Sequence, residues 1–295
     1  MNGALHCKNV ALGGNMKKRE KNIPEFAITH AGKFHADDVF CAALLTYLNP
    51  NIQIKRVFEL PEEYEGIAFD IGNGSYDHHQ KNSRVRENGI PYAAFGLLWE
   101  TYGTEIMKPE DAARFDEYFI QPLDLADNTG EIHPIANLIS LFNPDWDSDL
   151  TGDEAFEEAK IFALKILEKN FNHIQSICHA EAIVQKAIQE SDQNIIVLNP
   201  PVPWKRWAIG TEIEFVVFSS ERGGFYAQAV KNLETGKLKC EFPDQWRGKT
   251  AKELQSITGL KTITFCHNGG YLLMAEALED AKQACRIAQQ QKSLD

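Results

Sequence analysis

Apolar runs near the start of the chain alternate between two periodicities. "EFAIT" (25–29), "IQIKRVF" (52–58) and "GIAFDIG" (66–72) are short and apolar and begin beside Pro, Asn or Gly, which is typical of buried strands. Between the first two runs, apolar residues recur at helical spacing from Asp37 to Leu48, and Asn49-Pro50 ends the pattern. Strand, helix, strand and strand in this order predict an open, mainly parallel sheet flanked by helices. Such α/β sheets bind ligands beyond the carboxyl ends of their strands.

The rest of the sequence divides into a helical middle and a mixed C-terminal part. Helical periodicity predicts four helices in the middle, over 93–102, 109–127, 132–142 and 153–190. After "SDQN" (191–194), four strand-like runs follow ("IIVLN", "IEFVVFSS", "GFYAQAVKN" and "TITFC"), with a short helix at "TAKELQSI" and a last helix over about 270–290. A chain of 295 residues is long for one core. We therefore predict a flexible tail over 1–24, an α/β domain over 25–191 and a smaller α+β domain over 192–295.

Composition limits the classes of function. A formal net charge of −12 argues against a basic surface that coats long nucleic acid, but it leaves room for a short nucleic acid held by metal ions and a few basic side chains. The cysteines are scattered without a CxxC pair, which suits reduced thiols. No apolar run approaches the roughly 20 residues of a membrane span, and the N-terminus lacks a signal-peptide core. We expect a cytoplasmic protein that does not associate with membranes.

Imidazoles and carboxylates gather where the predicted strands end. They lie in "THAGKFHADD" (29–38), "FDIGNGSYDHHQ" (69–80) and "DLADN" (124–128), and the candidate ligands are His30, His35, Asp37, Asp70, His78 and Asp127. Oxygen and nitrogen ligands without a thiolate suit Mn²⁺ or Mg²⁺ better than structural zinc. The glycines after Asp70 permit a sharp turn toward the end of the first strand. This set is large enough for two ions that share a carboxylate, an arrangement that clamps a phosphate.

Each candidate also has a purely structural interpretation. Asp37 and Asp38 could cap the predicted helix, where carboxylates are favoured, and for Asp38 we prefer that interpretation. Asp124 and Asp127 lie one helical turn apart and could be solvated charges. Basic side chains beside the two histidine motifs are candidates for phosphate contact, namely Lys33, Lys81, Arg84 and Arg86.

Five motifs in a fixed order resemble a known family. They are "THAGKFHADDVFCAALL", "FDIG", "YDHHQ", "PYAAFGLLWETYG" and "DLADN". They resemble the metal-dependent protein hydrolases, also known as the melanocyte-proliferating-gene exonuclease family, which is a branch of the DHH phosphoesterases. "FPDQWRGKTAKELQSITGLKTITFCHNGGYLL" resembles the C-terminal segment of that family, so the resemblance extends from about Glu25 to about Ala288. Five ordered motifs are far more specific than an isolated DHH.

The resemblance implies a role for each matching residue. It implies that His30 and His35 bind one ion, that Asp37 binds the other, and that Asp70 bridges the two. His78 would complete the second site, and the remaining ligand would be Asp127, with Asp124 as the alternative. His79 would face the substrate phosphate, and Asp77 would orient a histidine.

The C-terminal segment adds predicted substrate contacts. His267 aligns with the C-terminal segment of the family, although "CHNGGYLL" is shorter than the usual family pattern there. Gly269 and Gly270 lie between "TITFC" and the predicted last helix, and free N–H groups at such a helix start would suit a phosphate. We expect the C-terminal domain to close over the metal site and to hold the substrate.

The resemblance implies a DHH-type fold and hydrolysis of phosphoesters with two divalent ions. Mn²⁺ is the expected metal and Mg²⁺ the alternative, and the implied substrate is short RNA or an oligonucleotide that is degraded from one end. Two other functions stay open. The same metals could hydrolyse pyrophosphate or a small phosphoester, or the chain could be a metal-stabilised binding protein without activity. Assembly into a homo-oligomer also stays open.

Overall fold

The computed structural model describes residues 23–292. Of the predicted tail over 1–24, only Ile23 and Pro24 fall among the described residues. The chain divides between Phe171 and Asn172 into two compact units. The domain boundaries predicted from the sequence stay a prediction.

A three-stranded parallel sheet organises the N-terminal unit. Its strands β1 (Phe26–His30), β2 (Gln53–Val57) and β3 (Ile67–Ala68) lie in the order β2-β1-β3. Helix α1 (Ala36–Leu48) leaves the carboxyl end of β1, which His30 closes. The Phe69 N–H donates to the Ile28 carbonyl at 3.0 Å, so the chain that follows β3 stays beside β1. The loops after β1 and β3 therefore meet at one edge of the sheet.

Helices and an aromatic core complete this unit. The helices are α2 (Ala94–Ile106), α3 (Pro109–Phe115), α4 (Gln121–Thr129) and α5 (Pro134–Ser140), followed by α6 (Gly152–His179), which crosses the division between the units. A π-helical turn, Asp116–Ile120, joins α3 to α4, so the predicted helix over 109–127 has a bulge at its centre. The Phe40 ring of α1 stacks on Phe95 at 5.3 Å and meets Phe119 edge-on at 5.5 Å. Burying each such ring stabilises the fold by about 1.5–3 kcal/mol, and these contacts fix α1 against α2 and the π-helical turn.

A five-stranded mixed sheet forms the core of the C-terminal unit. Its strands are β4 (Ile195–Leu198), β5 (Phe215–Ser219), β6 (Phe225–Ala229), β7 (Ile263–Cys266) and β8 (Leu272–Ala275). Their order is β4-β5-β6-β8-β7, with β4 and β5 parallel and the other pairs antiparallel. Phe215 and Val217 face a core that includes α10 (Leu278–Lys292), whereas Val216 faces a second core that includes Val184 of α7 (Glu181–Gln189). Two short helices, α8 (Lys205–Ala208) and α9 (Ala251–Thr258), lie between strands. The predicted α/β fold class is confirmed.

Two predicted helices are wrong in part. The run over 153–190 is two helices, α6 and α7, separated at Ala180. The last helix does not begin near Gly270, because Leu272–Ala275 form β8 and pair with both β6 and β7. A four-residue apolar run is compatible with either element, and here pairing with two neighbouring strands decides it. Gly269 and Gly270 therefore lie in a strand-to-strand turn rather than at a helix start.

None of the helices between residues 23 and 292 combines the length and apolar character that a membrane span requires.

Candidate metal centre

The edge of the sheet where β1 and β3 end brings most of the sequence-predicted ligands together. His35 directly precedes α1, and its backbone N–H donates to Asp38 Oδ1 at 2.9 Å. This hydrogen bond caps the start of the helix. Asp37 and Asp38 lie in the first turn of the helix, and both are buried. Asp70 has a φ of 55°, in the left-handed region, and its N–H donates to the Tyr76 carbonyl at 2.9 Å. This backbone conformation reverses the chain directly after β3.

His30 and Asp38 form one side of the cluster. His30 Nε2 lies 3.1 Å from Asp38 Oδ2 and 3.2 Å from Asp70 Oδ2. These three residues form a group whose ligand atoms are mutually close enough to hold a metal ion. One carboxylate oxygen of Asp38 thus caps the helix, and the other is a potential metal ligand.

His78 forms the other side of the cluster. Its Nε2 atom lies 3.1 Å from Asp70 Oδ1, 3.3 Å from Asp127 Oδ2 and 3.5 Å from Asp37 Oδ2. The two oxygens of Asp70 therefore face two different imidazoles, His30 and His78. This is the position that a carboxylate shared between two ions has to occupy.

Two further groups could hold an ion in the described part of the chain. One contains His35, Asp37 and Asp127, and the other contains Asp70, His78 and His79. His35 Nδ1 lies 3.9 Å from Asp127 Oδ1. Because His30 and His35 fall in different groups, the geometry pairs the ligands differently from the sequence-based prediction.

Asp37 tests whether these residues fit a cation. Both of its side-chain oxygens are buried, and neither accepts a hydrogen bond from the described residues. Burial, followed by the nearby charges of Asp70 and Asp127, raises the pKa of Asp37 well above its usual value. An ionised carboxylate in such a place is costly unless it is paired or coordinates a metal. The residues present therefore fit a divalent cation.

Neighbouring carboxylates raise the pKa values of His30 and His78, and Asp70 contributes to both shifts. The contact with Asp38, followed by that with Asp70, raises the pKa of His30 to about 10 although burial opposes the shift. Burial lowers the pKa of His78, but Asp70 and Asp127 outweigh it and raise the value to about 8. Burial would raise the pKa of Asp70, yet the contacts with both imidazoles lower it to about 2. In the protein without metal, protons on the imidazoles balance part of the negative charge.

His79 and Asp77 form a pair beside the cluster. His79 Nδ1 lies 2.8 Å from Asp77 Oδ1, and Asp77 Oδ2 accepts from the Asn73 N–H at 2.7 Å. Burial would raise the pKa of Asp77, but the hydrogen bonds from His79 and Asn73 lower it. The His79 side chain is 62% exposed, whereas that of Asp77 is buried. A fixed carboxylate thus holds an accessible imidazole.

Arg86 lies in a buried ion pair and not at the predicted contact with a substrate phosphate. It is 8% exposed, and its guanidinium contacts both oxygens of Asp116 as well as Asp124 Oδ2, the last at 2.8 Å. This buried ion pair excludes Arg86 from the predicted contact with a substrate phosphate. It also commits Asp124 to a structural pair, so that of the two alternatives only Asp127 lies among the potential ligands.

The other predicted substrate contacts differ in exposure: Lys81, Arg84 and Gly269 are exposed, His267 is partly exposed and Gly270 is buried. Arg84 makes a bidentate ion pair with Glu100, in which Nη1 donates to Oε2 at 2.6 Å and Nη2 to Oε1 at 2.8 Å. In the C-terminal unit, the Gly269 N–H donates to His267 Nδ1 at 2.9 Å, and the Gly270 N–H donates to the His267 carbonyl at 2.9 Å. These two N–H groups are therefore not free to bind a phosphate, which corrects the role predicted for the glycine pair.

Sequence reasoning missed two residues of the centre. Asp38 was assigned to the helix cap alone, although its position beside Asp37 in a histidine motif was a signal for a ligand. Asn128 was passed over, and its Oδ1 lies 3.3 Å from His78 Nδ1. The sequence signal for Asn128 was its place directly after Asp127 in "DLADN".

Comparisons with known proteins point to one family. The model of the MYG1 exonuclease family, whose description is "Uncharacterised protein family (UPF0160)", matches residues 26–289. The chain is similar to a MYG1 protein of Dictyostelium discoideum, with 26% identity over 83% of this chain and 90% of the relative. It is also similar to a MYG1 protein of Chlamydia pneumoniae, with 26% identity over 92% of this chain and 99% of the relative.

A similar protein of Mus musculus is named MYG1 exonuclease and is 25% identical over 92% of this chain and 88% of its own length. No solved structure gives a significant match. Because the family model covers nearly all of the described residues, the chain belongs to the MYG1 exonuclease family.

Proposed function

We propose that this protein is a metal-dependent phosphoester hydrolase that degrades short RNA or oligonucleotides from one end with two divalent cations, Mn²⁺ or Mg²⁺. The observation that carries the proposal is the position of Asp70 between His30 and His78, next to the hydrogen-bond-free oxygens of Asp37. A carboxylate shared by two imidazoles and a second buried carboxylate that accepts no hydrogen bond together suit two cations better than one.

The proposed ligands fall into two sets that share Asp70. His30 and Asp38 hold one cation, and His78, Asp37 and Asp127 hold the other, with His35 beside Asp127. When bound, divalent cations supply charge neutralisation on the phosphate and lower the pKa of a coordinated water. The protein contributes the fixed positions of the ligand atoms, since Asp37 and Asp38 lie in the first turn of α1 and Asp70 in a turn constrained by its own N–H.

His79 is the proposed residue that acts on the substrate directly. Asp77 accepts the hydrogen bond from His79 Nδ1, which leaves Nε2 to interact with a phosphate oxygen. The same carboxylate fixes the orientation of the ring, so that His79 would face the charge that develops on the phosphate in the transition state. Asp77 is therefore a positioning residue and His79 a catalytic one.

Three observations support an oligonucleotide as the substrate. A similar mouse protein carries the name exonuclease. Lys81 provides exposed positive charge in the segment that follows the two histidines, on a chain whose net charge is −12, whereas Glu100 neutralises the nearby Arg84. His267 in the C-terminal unit has its Nδ1 bonded to Gly269, so its Nε2 remains for a substrate contact. We propose that the C-terminal unit holds the substrate and performs no chemistry.

The test is a substrate panel with the full-length protein. Oligonucleotides labelled at the 5′ or the 3′ end are incubated with Mn²⁺, with Mg²⁺ and after chelation, alongside inorganic pyrophosphate and bis-p-nitrophenyl phosphate. We expect metal-dependent release of mononucleotides from one end and slower hydrolysis of the two small substrates.

Three outcomes would contradict the proposal in different ways. Cleavage of pyrophosphate alone would assign the same centre to a small-phosphate hydrolase. Hydrolysis that persists after chelation would remove the role of the metals. Tight metal binding without turnover of any substrate in the panel would make the chain a metal-stabilised binding protein.

A further inference from the structure

The side-chain amide of Asn128 has its orientation fixed by two carbonyl groups. Its Nδ2 atom donates to the Asp124 carbonyl at 2.8 Å and to the Tyr92 carbonyl at 3.1 Å. The reversed amide would place its oxygen against these two carbonyl oxygens, which repel it. Both hydrogens of Nδ2 are therefore in use, and Oδ1 is the atom that faces His78 Nδ1 at 3.3 Å.

An amide oxygen can only accept a hydrogen bond, so it determines where His78 carries its proton. The proton has to lie on Nδ1, which then donates to Asn128 Oδ1. In a neutral imidazole the lone pair is consequently on Nε2. This is the atom that lies within 3.5 Å of carboxylate oxygens of Asp37, Asp70 and Asp127.

We propose that Asn128 is a positioning residue that holds His78 in the Nδ1-protonated tautomer and so makes Nε2 the cation ligand. The inference rests on the proposed function only for the presence of a cation in the centre. The His78 side chain is 6% exposed and Asn128 lies on exposed surface, so this hydrogen bond is made at the edge of the buried cluster. Because the Asp124 carbonyl that fixes the amide belongs to α4 itself, the helix orients His78 through Asn128.

Two substitutions separate this role from a purely structural one. Asn128→Asp keeps an acceptor for His78 Nδ1 but loses both donors to the carbonyls of Tyr92 and Asp124. Asn128→Leu has a similar volume and loses the acceptor as well. If Asn128 served only to attach α4 to the neighbouring carbonyl of Tyr92, the two variants would lose the same amount of Mn²⁺ affinity. Thr129→Asp is the control, since it adds a negative charge to an exposed neighbour on the same helix.

The first measurement is Mn²⁺ affinity by calorimetry on the full-length protein. We expect Asn128→Leu to weaken binding roughly 10- to 100-fold, as loss of a hydrogen-bond partner of a ligand histidine typically does. We expect Asn128→Asp to bind within about threefold of wild type or more tightly, since a carboxylate that accepts from a ligand histidine raises its basicity. Thr129→Asp should match wild type.

The second measurement is the tautomer of His78 in the Mg²⁺-loaded wild-type protein, read from long-range ¹H–¹⁵N correlations after selective histidine labelling. It requires no variant to fold, and we expect the proton on Nδ1. A proton on Nε2, equal losses in Asn128→Asp and Asn128→Leu, or an unchanged affinity in Asn128→Leu would each overturn the inference alone. Wild-type protein that binds neither metal would overturn the proposed metal centre, and the inference with it.

Discussion

Asp70 combines an unusual backbone conformation with a shared carboxylate. Its φ of 55° lies in a region that costs most residues about 1–2 kcal/mol, although Asp and Asn adopt it more readily than others. The reversal of the chain at this residue places one oxygen 3.2 Å from His30 and the other 3.1 Å from His78. Strained conformations of this kind are concentrated at functional sites, and here the strain accompanies the position of one side chain between two histidines.

Asp70→Asn should remove metal binding without unfolding the protein. Asn tolerates the left-handed conformation as Asp does, but its amide is neutral and presents only one oxygen. We expect Mn²⁺ affinity to fall by more than the roughly 100-fold upper range for loss of a partner outside the ligand set, and hydrolysis to fall with it. Metal analysis and circular dichroism on the same sample check this. Two ions per chain with wild-type turnover would exclude a bridging role.

His79→Ala should separate catalysis from metal binding. The exposed ring of His79 is held by Asp77, and its Nδ1 lies farther from Asp70 Oδ1, at 3.5 Å, than from Asp77 Oδ1, at 2.8 Å. Removal of one preorganised group that stabilises transition-state charge typically lowers kcat roughly 10²- to 10³-fold. Kinetics and metal analysis are measured in parallel, with His133→Ala, outside the cluster, as a control. Metal occupancy that falls in step with kcat would instead make His79 a ligand.

The sequence predicted most residues of the centre but not their pairing. His30, Asp37, Asp70 and His78 could be proposed because they follow strands whose carboxyl ends share an edge, and Asp127, which lies in α4, because of the "DLADN" motif. Their grouping depends on side-chain directions that spacing does not encode, and so Asp38 was missed. The sequence favours a phosphate contact for Arg86 because a charged residue is seldom buried, and its partner Asp116 lies far along the chain in the π-helical turn. The site-residue roles themselves stay a prediction.

At the scale of elements, Gly96 allows α2 to approach the Arg86–Asp124 pair closely. The Gly96 N–H donates to Asp124 Oδ1 at 3.2 Å. A Cβ at this position would lie 2.6 Å from Arg86 Nη2 and closer still to Asp124 Oδ2. Burial raises the pKa of Asp124 to about 7, and Arg86 limits that rise. The pair therefore holds α4, and with it Asp127 and Asn128, in place only while residue 96 has no side chain.

Gly96→Ala should destabilise the protein despite the better helix propensity of alanine. The propensity gain is about 1 kcal/mol, whereas overpacking a buried site costs typically 1–3 kcal/mol and here also displaces an ion pair. We expect a net loss of about 1–2 kcal/mol by urea unfolding. Gly210→Ala is the control, because a Cβ there meets no atom of the described residues within 4 Å. Unchanged or higher stability of Gly96→Ala would show that the pair can move aside.

Element prediction succeeded where long periodic patterns decide the structure and failed for short apolar runs. The α1 pattern was found within a residue of its bounds, since Asn49-Pro50 marks the end. "LLMA" is compatible with the start of a helix or with a strand, and its pairing with β6 involves residues distant in sequence. The π-helical turn carries no sequence signal that we could identify. Long periodic patterns thus predict both the type and the bounds of an element, whereas the type of a short apolar run depends on its pairing in the folded chain.

For the whole molecule, the acidic cluster couples folding to metal binding and to pH. A histidine whose pKa is raised on folding stabilises the metal-free protein fully at pH values below about 6.5, which is its pKa in the unfolded chain. That contribution is lost as the pH rises through the pKa of the histidine in the folded protein, which is about 8 for His78 and about 10 for His30. The pKa of Asp70 is lowered to about 2, so its contribution to stability is already complete above pH 4 and stays constant at higher pH. The metal-free protein should therefore lose stability between pH 6 and pH 8.

Mn²⁺ should stabilise the protein more at pH 8 than at pH 6. A cation has to displace the protons that His30 and His78 hold, so affinity rises tenfold per pH unit for each proton released. With metal in excess, each proton released adds about 1.4 kcal/mol per pH unit to the stabilisation that Mn²⁺ gives, or about 2–4 °C in Tm. Thermal unfolding of wild type with and without Mn²⁺ across this range checks the sign, and Asp70→Asn should show little gain at any pH. A stabilisation that shrinks as pH rises would place the bound cation away from these histidines.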